Sequence, residues 1–311
     1  MKISIIIPAW HEEKIIIPTL DSLKKSNYNL KDCEVIVIAS SDDNTYNLAK
    51  KQDMHSFKKY LVIKQKPGGK NTALQQGIRA SRGGFIILLD ADTVADRNWL
   101  AEIIKPIEFG NYACSNGNCF SFLFPLVKSW LNNYLIIENI WIREVLNQPL
   151  TNGAGGIAFK RELIEEIGID RLFNKRIYKG IDRDFGEQIL KRGYEIYFAK
   201  KAIIRTLFNK NLVGFIKTDL RWKKGFFNQI SKKRAITIVC FNIFLIFFSG
   251  FIPYALIKLF CSAFKSKKYS LLSYFPTYLF LTFLGCLITI KAACSNKKQE
   301  IHFKGERTQI I

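Results

Sequence analysis

Four short apolar runs, at 3–7, 34–38, 60–63 and 85–89, punctuate the first hundred residues of this 311-residue chain. Each is rich in β-branched residues, as a strand buried inside a parallel sheet should be. Between them lie stretches with helical spacing, about 12–25, 44–52 and 71–80, and Pro18 suits the first turn of the first of these. Strand–helix alternation predicts a doubly wound α/β fold with a mainly parallel sheet. Such sheets bind ligands outside the carboxyl ends of their strands. The residues just after each run are therefore where chemistry is expected.

The fourth run reads Phe85-Ile86-Ile87-Leu88-Leu89-Asp90-Ala91-Asp92. Two carboxylates at a strand end can hold Mg²⁺ or Mn²⁺, ions that complete their shell with substrate phosphates. The same pattern also serves a plain turn with a helix cap. After the first run come Pro8-Ala9-Trp10-His11-Glu12-Glu13, where Glu12 either holds a nucleoside or complements a helix dipole. Lys66-Pro67-Gly68-Gly69-Lys70-Asn71-Thr72-Ala73-Leu74 is a glycine turn feeding a helix N-terminus, suited to a phosphate or a base edge, yet it is not a Walker A loop. The glycines Gly153, Gly155 and Gly156 allow close approach of a ligand or backbone ahead of a helix at Arg161–Ile167. In Gly180-Ile181-Asp182-Arg183-Asp184-Phe185-Gly186-Glu187, the Asp184 and Glu187 spacing resembles a capping box. That places Asp182 just outside the helix, free to serve as a general base.

Composition narrows the partners. A net charge of +21 calls for an anionic one: phosphorylated substrate, anionic lipid or nucleic acid. No nucleic-acid partner is expected, because much of the basic charge flanks apolar segments and no zinc-finger or RNP-type signature is present. Three histidines argue against a multi-histidine metal site. Seven cysteines without a C-x-x-C pair read as thiols filling core positions. The N-terminal stretch reads as a strand and not a signal peptide, so the soluble part is expected to stay in the cytosol.

The chain changes character after the α/β part. Residues 122–147 carry apolar residues at helical spacing, two of them tryptophans, with a polar stripe of Lys128, Asn132, Asn139 and Arg143. This amphipathic helix either lies on a membrane surface or packs against the sheet. Ala235–Ile257 and Ser270–Ile290 are each apolar and long enough to cross a bilayer as a helix. Basic residues flank both (Lys223, Lys224, Lys232, Lys233 and Arg234 before, Lys291, Lys297 and Lys298 after), so a hairpin with both ends cytosolic is expected. Lys265, Lys267 and Lys268 in the connection, with Gly250 and Pro253, leave open a re-entrant pair. The expected organisation is a catalytic domain over 1–215, a basic interfacial segment over 216–234, a two-helix membrane region over 235–291 and a basic polar tail over 292–311.

Taken in order, these motifs resemble those of family 2 glycosyltransferases, inverting enzymes with the glycosyltransferase-A fold. The resemblance runs from Ile3 to about Gly225. It implies that Pro8, Ala9 and Glu12 line a nucleoside pocket, with His11 where asparagine is usual. Val35 to Thr45 resembles the second strand and loop, where Ala39 and Ser40 stand in place of the aspartates that contact the base. Lys70 belongs to a segment similar to Gly-Lys-x-x-Ala-Leu. Asp90-Ala91-Asp92 matches the Asp-x-Asp metal motif, with Asp92 the direct ligand of Mg²⁺ or Mn²⁺ and Asp90 nearer the ribose and pyrophosphate. Asp182 stands at the base position, although the preceding glutamate of many members is Ile181 here. Arg221 and Trp222 resemble the Gln-x-x-Arg-Trp motif, with Thr218 at the glutamine position. The resemblance therefore implies transfer from a nucleotide-sugar. The apolar segments point to a lipid-linked or membrane acceptor and to a multi-pass protein of the cell membrane whose catalytic domain faces the cytoplasm. A membrane-attached nucleotidyltransferase and a non-enzymatic membrane scaffold are the rival readings.

Overall fold

The computed structural model describes residues 2–121, 129–145, 156–175, 181–206, 212–227 and 230–295. The ends of the amphipathic segment (122–128 and 146–147), Gly153, Gly155, Gly180 and the tail from 296, with Lys297 and Lys298, lie outside the described residues. The described strands are β1 (Ile3–Ala9), β2 (Cys33–Ala39), β3 (Lys59–Lys64), β4 (Phe85–Leu88), β5 (Thr93–Ala95), β6 (Cys114–Ser121), β7 (Ile157–Lys160) and β8 (Ile196–Thr206). The helices are α1 (Ile16–Lys24), α2 (Thr45–Lys50), α3 (Gly69–Ala80), α4 (Trp99–Glu108), α5 (Ser129–Ile140), α6 (Glu162–Ile167), α7 (Ile169–Leu172), α8 (Ile181–Leu190), α9 (Leu212–Phe227), α10 (Lys232–Phe247), α11 (Phe251–Ser266) and α12 (Phe275–Cys294). Two compact units result, one drawing on Met1–Phe120 and Pro149–Leu207, the other on Ser121–Gln148 and Phe208–Ile301.

The first unit is built on one sheet in the order β3-β2-β1-β4-β7-β6-β8-β5. Strands β3, β2, β1 and β4 run parallel, while β7 joins β4 antiparallel, β6 joins β7 antiparallel and β5 joins β8 antiparallel. The four apolar runs of the sequence are the four parallel strands. The side-chain period of two sends Ile3, Ile5 and Ile7 to one face, where they meet Leu20 of α1 and Trp99 and Ile103 of α4. It sends Ile6 to the other, against Leu74 and Ile78 of α3 and the cluster of Phe159, Phe173 and Phe185. Helices thus cover both faces, which explains why these strands are apolar throughout. Gly77 lets α3 lie close on the sheet: a Cβ there would stand 2.5 Å from the Ile6 Cγ2 methyl. Cys33 and Cys114 are buried in these cores.

The parallel register aligns the strand ends. Ala9 pairs with Ala39, Ile6 with Leu88, and Ala39 with Lys64. The loops that follow β1, β2, β3 and β4 therefore leave from one edge of the sheet.

The second unit holds α5 and α9–α12. The described part of the amphipathic segment is helical over Ser129–Ile140 and continues as a π turn over Trp141–Val145. Its Ile137 and Ile140 pack with Ala255, Leu259 and Ala263 of α11 and with Tyr278 of α12. Glu138, on the same helix, accepts 2.6 Å hydrogen bonds from Lys258 Nζ and Tyr278 Oη. This pairing accounts for a lysine buried in the middle of an apolar helix.

The first expected membrane helix, 235–257, is not one helix. α10 ends at Phe247 and α11 begins at Phe251, and their axes turn by 102° between them. Pro253 fits the break: in one continuous helix it would leave the Ser249 carbonyl without its donor and its ring would crowd that carbonyl, whereas at the corner the carbonyl accepts the Ile252 N–H at 3.0 Å. Ser249 takes a left-handed φ of 51° at the corner. The second expected segment is continuous, a helical stretch over Tyr269–Cys294 that is long and apolar enough to cross a membrane. Two straight crossings thus become one continuous candidate and one bent pair.

Candidate active site

Four loops leave the carboxyl edge of the parallel strands. After β1, Pro8 and Ala9 close the strand and Trp10 and His11 turn the chain, His11 with φ 59°. After β2 comes Ser40, whose N–H donates to the Ala9 carbonyl at 2.9 Å. Asp43 joins these two loops. Its Oδ1 accepts the Ser40 hydroxyl at 2.6 Å, and its Oδ2 accepts the Thr45 hydroxyl at 2.6 Å. Ser40 Oγ in turn accepts the His11 N–H, and Thr45 Oγ1 accepts the Glu12 N–H. Burial pushes the Asp43 carboxyl up, but the hydroxyls of Ser40 and Thr45 outweigh it and hold the group below the usual carboxylate range. Asp43 was not singled out by sequence reasoning. Its signal was an Asp two residues before a Thr at a helix start, which is ordinary turn chemistry.

After β3, Gly68 and Gly69 adopt positive φ values of 124° and 76°, which glycine alone accepts readily, and deliver Lys70 to the first turn of α3. Lys70 Nζ lies 2.6 Å from Asp90 Oδ1 and 3.9 Å from Asp182 Oδ1. One ammonium thus links the end of β4 to the start of α8. Burial alone would depress that lysine, yet Asp182 and Asp90 outweigh it and raise its affinity for the proton. The side chains of Lys70, Asp90 and Asp182 remain 34%, 41% and 33% exposed, so a substrate can reach them. Thr93 donates to the Asp90 carbonyl and Thr206 to the Asp92 carbonyl, which braces the turn carrying both acids.

Asp182 is not outside its helix. α8 starts at Ile181, a buried residue, and both Asp182 and Asp184 lie in its first turn. Asp184 accepts from Gln188 at 2.7 Å and Glu187 pairs with Arg183 at 2.8 Å, so no capping box forms. Burial of Ile181 against the phenylalanine cluster fixes the earlier start, and acids in a first turn complement the helix dipole.

Glu12 reports the charge of this edge. Its carboxyl is pushed up to about 7, first by burial and then by the negative charges of Asp92, Asp90 and Asp43. An excess of carboxylate oxygens is the environment that a hard divalent cation relieves. Among the described residues, no three His, Cys, Asp or Glu side chains are gathered as an ion-binding group. Asp90 and Asp92 would therefore supply only part of a shell, as Mg²⁺ and Mn²⁺ sites shared with phosphates do. The donor set fits such an ion.

The structure brings Pro8, Ala9, Glu12, Ser40, Lys70, Asp90, Asp92 and Asp182 to the first unit's sheet edge. Arg221 and Trp222 belong to the second unit, on α9, where both are exposed.

A family model described as glycosyl transferase family 2 matches residues 4–168, more than half of the chain, and the chain belongs to that family. It is 22% identical over 202 residues to glycosyltransferase AglE of Haloferax volcanii, covering 65% of itself and 65% of AglE, less than two thirds of that relative's length. It is 22% identical over 251 residues to the dolichyl N-acetyl-alpha-D-glucosaminyl phosphate 3-beta-D-2,3-diacetamido-2,3-dideoxy-beta-D-glucuronosyltransferase of Methanococcus voltae, covering 73% of itself and 75% of that protein. Among solved structures, the mannosyltransferase PcManGT of Pyrobaculum calidifontis, in complex with GDP-Man and Mn²⁺, superposes with a TM-score of 0.67. That match is 19% identical and covers 95% of this chain and 86% of the other, a likeness of fold. The fold is of the glycosyltransferase-A type.

Proposed function

We propose that the chain is a metal-assisted, inverting glycosyltransferase that moves a sugar from a nucleotide-sugar to a lipid-linked or membrane acceptor. The observation that carries this reading is the junction of Lys70 with Asp90 and Asp182, at the strand edge where Glu12 and Asp92 also stand. The GDP-Man and Mn²⁺ held by the Pyrobaculum structure and the dolichyl phosphate in the Methanococcus relative's name support donor, ion and acceptor class.

Pro8, Ala9, Glu12 and Ser40 line the nucleoside end of the pocket, with Asp43 bracing the two loops that form it. Asp92 and Asp90 would hold Mg²⁺ or Mn²⁺, Asp92 directly and Asp90 beside the ribose and pyrophosphate. When bound, the ion neutralises charge on the departing diphosphate. Lys70 presents a positive charge to the same phosphates and holds Asp90 and Asp182 within one ammonium's reach. Asp182 takes the proton of the acceptor hydroxyl as its oxygen attacks the anomeric carbon from the side opposite the leaving group. A single displacement inverts that carbon. A lipid phosphate is already ionised and needs no base, in which case Asp182 positions it. Arg221 and Trp222, exposed on α9, are assigned to substrate binding by their likeness to the Gln-x-x-Arg-Trp motif alone. The continuous stretch Tyr269–Cys294 attaches the enzyme to the membrane, and the basic residues ahead of it, from Arg221 to Lys268, favour the cytoplasmic side for the catalytic unit.

The test is product analysis. The full chain, in detergent with Mn²⁺ or Mg²⁺, is given a panel of nucleotide-sugars and lipid-linked acceptors. Nucleoside diphosphate and a product of inverted anomeric configuration are expected. Release of pyrophosphate would replace this reading with nucleotidyl transfer, and a retained configuration would remove the single displacement.

A further inference from the structure

The bent pair α10 and α11 has dimensions that decide how it can meet a membrane. Each arm has 16 residues and is about 24 Å long. Neither arm alone reaches across a hydrocarbon core of about 30 Å. With a 102° turn between the axes, a symmetric wedge extends about 19 Å from the plane of its two outer ends. That depth ends near the middle of a bilayer. The bend is braced: Phe241 of α10 meets Tyr254 of α11 edge to face at 6.1 Å, and Phe251 packs on Phe283 of α12 at 5.3 Å.

Charge and apolar exposure follow the same geometry. The corner residues Phe247 and Phe248 are 80% and 72% exposed, and Ile236, Phe244, Phe260 and Phe264 along the arms are also exposed. The outer end of α10 carries Lys232, Lys233 and Arg234, behind the Ser231 cap. The outer end of α11 carries Lys265, Lys267 and Lys268, where Lys267 turns left-handed and stops the helix. From residue 220 to 299 the sequence contains no Asp or Glu. Lys258, the cation midway along α11, is neutralised by Glu138 of α5. An apolar corner between two basic ends, without an acid, fits one class of surface: a leaflet containing anionic lipid.

We propose that α10 and α11 form a re-entrant wedge that enters a single anionic leaflet. Both basic ends lie at the same membrane surface, and Phe247 and Phe248 lie near the bilayer centre. This rests on the membrane attachment proposed above and adds to it that the pair does not cross.

The experiment needs no substitution. Full-length protein is reconstituted in one orientation into sealed vesicles of phosphatidylcholine and phosphatidylglycerol, and flotation is measured first. Failure to float would overturn membrane attachment itself. Floating vesicles are treated with a membrane-impermeant amine reagent, and peptides are read by mass spectrometry. The wedge predicts that Lys232 and Lys233 and the group Lys265, Lys267 and Lys268 are modified from the same side and to the same extent. Modification of one group only after permeabilisation would make the pair a broken span and overturn the wedge. Cys240, halfway along α10 and exposed in the protein alone, should lose its reactivity to an impermeant maleimide in the vesicles. Retained reactivity would mean that the arms lie outside the lipid, and would overturn insertion while leaving attachment by Tyr269–Cys294 intact.

Discussion

At the scale of single residues, the account turns on Asp182, Lys70 and Glu12. Asp182→Asn keeps the size of the side chain and removes its basicity, so kcat on a hydroxyl acceptor should fall by about 10²–10⁴-fold with little change in donor KM. On a lipid phosphate acceptor the same variant should lose far less. Equal losses on both acceptors would reassign Asp182 to positioning alone. Glu12 gives a pH signature. Its carboxyl titrates near 7 in the folded chain against an ordinary value of 4.5. Between these values the folded chain binds more protons than the unfolded one, so this group makes stability fall as pH rises from about 4.5 to about 7. Urea denaturation of Glu12→Gln across that window should show a shallower decline than the parent chain. The placement of Asp90, Asp92 and Lys70 just after strand ends was readable from the sequence, because short apolar runs mark those ends. The tie between Lys70 and Asp182 was not, since 112 residue positions separate them and only the packing of α3 and α8 on one face of the sheet brings them near.

At the scale of elements, the parallel strands were legible because β-branched runs bounded by turns have few other uses. The helix starts were less so. Ile181 joins α8 because it is buried with Phe185 and Ile189, a tertiary fact that the local Asp184–Glu187 spacing could not reveal. The break at Ser249 was signalled by Gly250 and Pro253, but the apolar length of the segment fitted a straight crossing equally well. Glu138 likewise sat unremarked on an apolar helix, because its partners Lys258 and Tyr278 lie 120 and 140 positions away. Packing of α3 on β1 and β2 can be probed at Gly77, where a Cβ would come within 2.5 Å of Ile6 and 3.3 Å of Ile38 side-chain atoms. Gly77→Ala should cost about 1–3 kcal/mol of stability through overpacking, measurable by chemical denaturation. An unchanged midpoint would mean that α3 sits farther from the sheet.

At the scale of the whole molecule, the chain joins a family 2 α/β unit to a helical unit rich in exposed aromatics and cations. The +21 charge has a place in this arrangement, because 13 of the basic residues lie in the acid-free stretch from 220 to 299. Binding to vesicles should therefore strengthen with the fraction of anionic lipid and weaken with salt, since exposed cations are screened over about 10 Å at 0.1 M ionic strength. Co-sedimentation across a salt series would check this, and binding indifferent to lipid charge would leave apolar insertion as the sole anchor. The central claim, that a divalent ion on Asp90 and Asp92 serves transfer from a nucleotide-sugar, has a direct measurement. It is the release of nucleoside diphosphate by the parent chain and by Asp92→Ala, each with Mn²⁺ and with chelator. The account predicts that release by the parent requires the ion and that Asp92→Ala loses at least about 100-fold, the scale of losing several kcal/mol of charge stabilisation in the transition state. Release that persists in chelator, or that Asp92→Ala leaves unchanged, would contradict it.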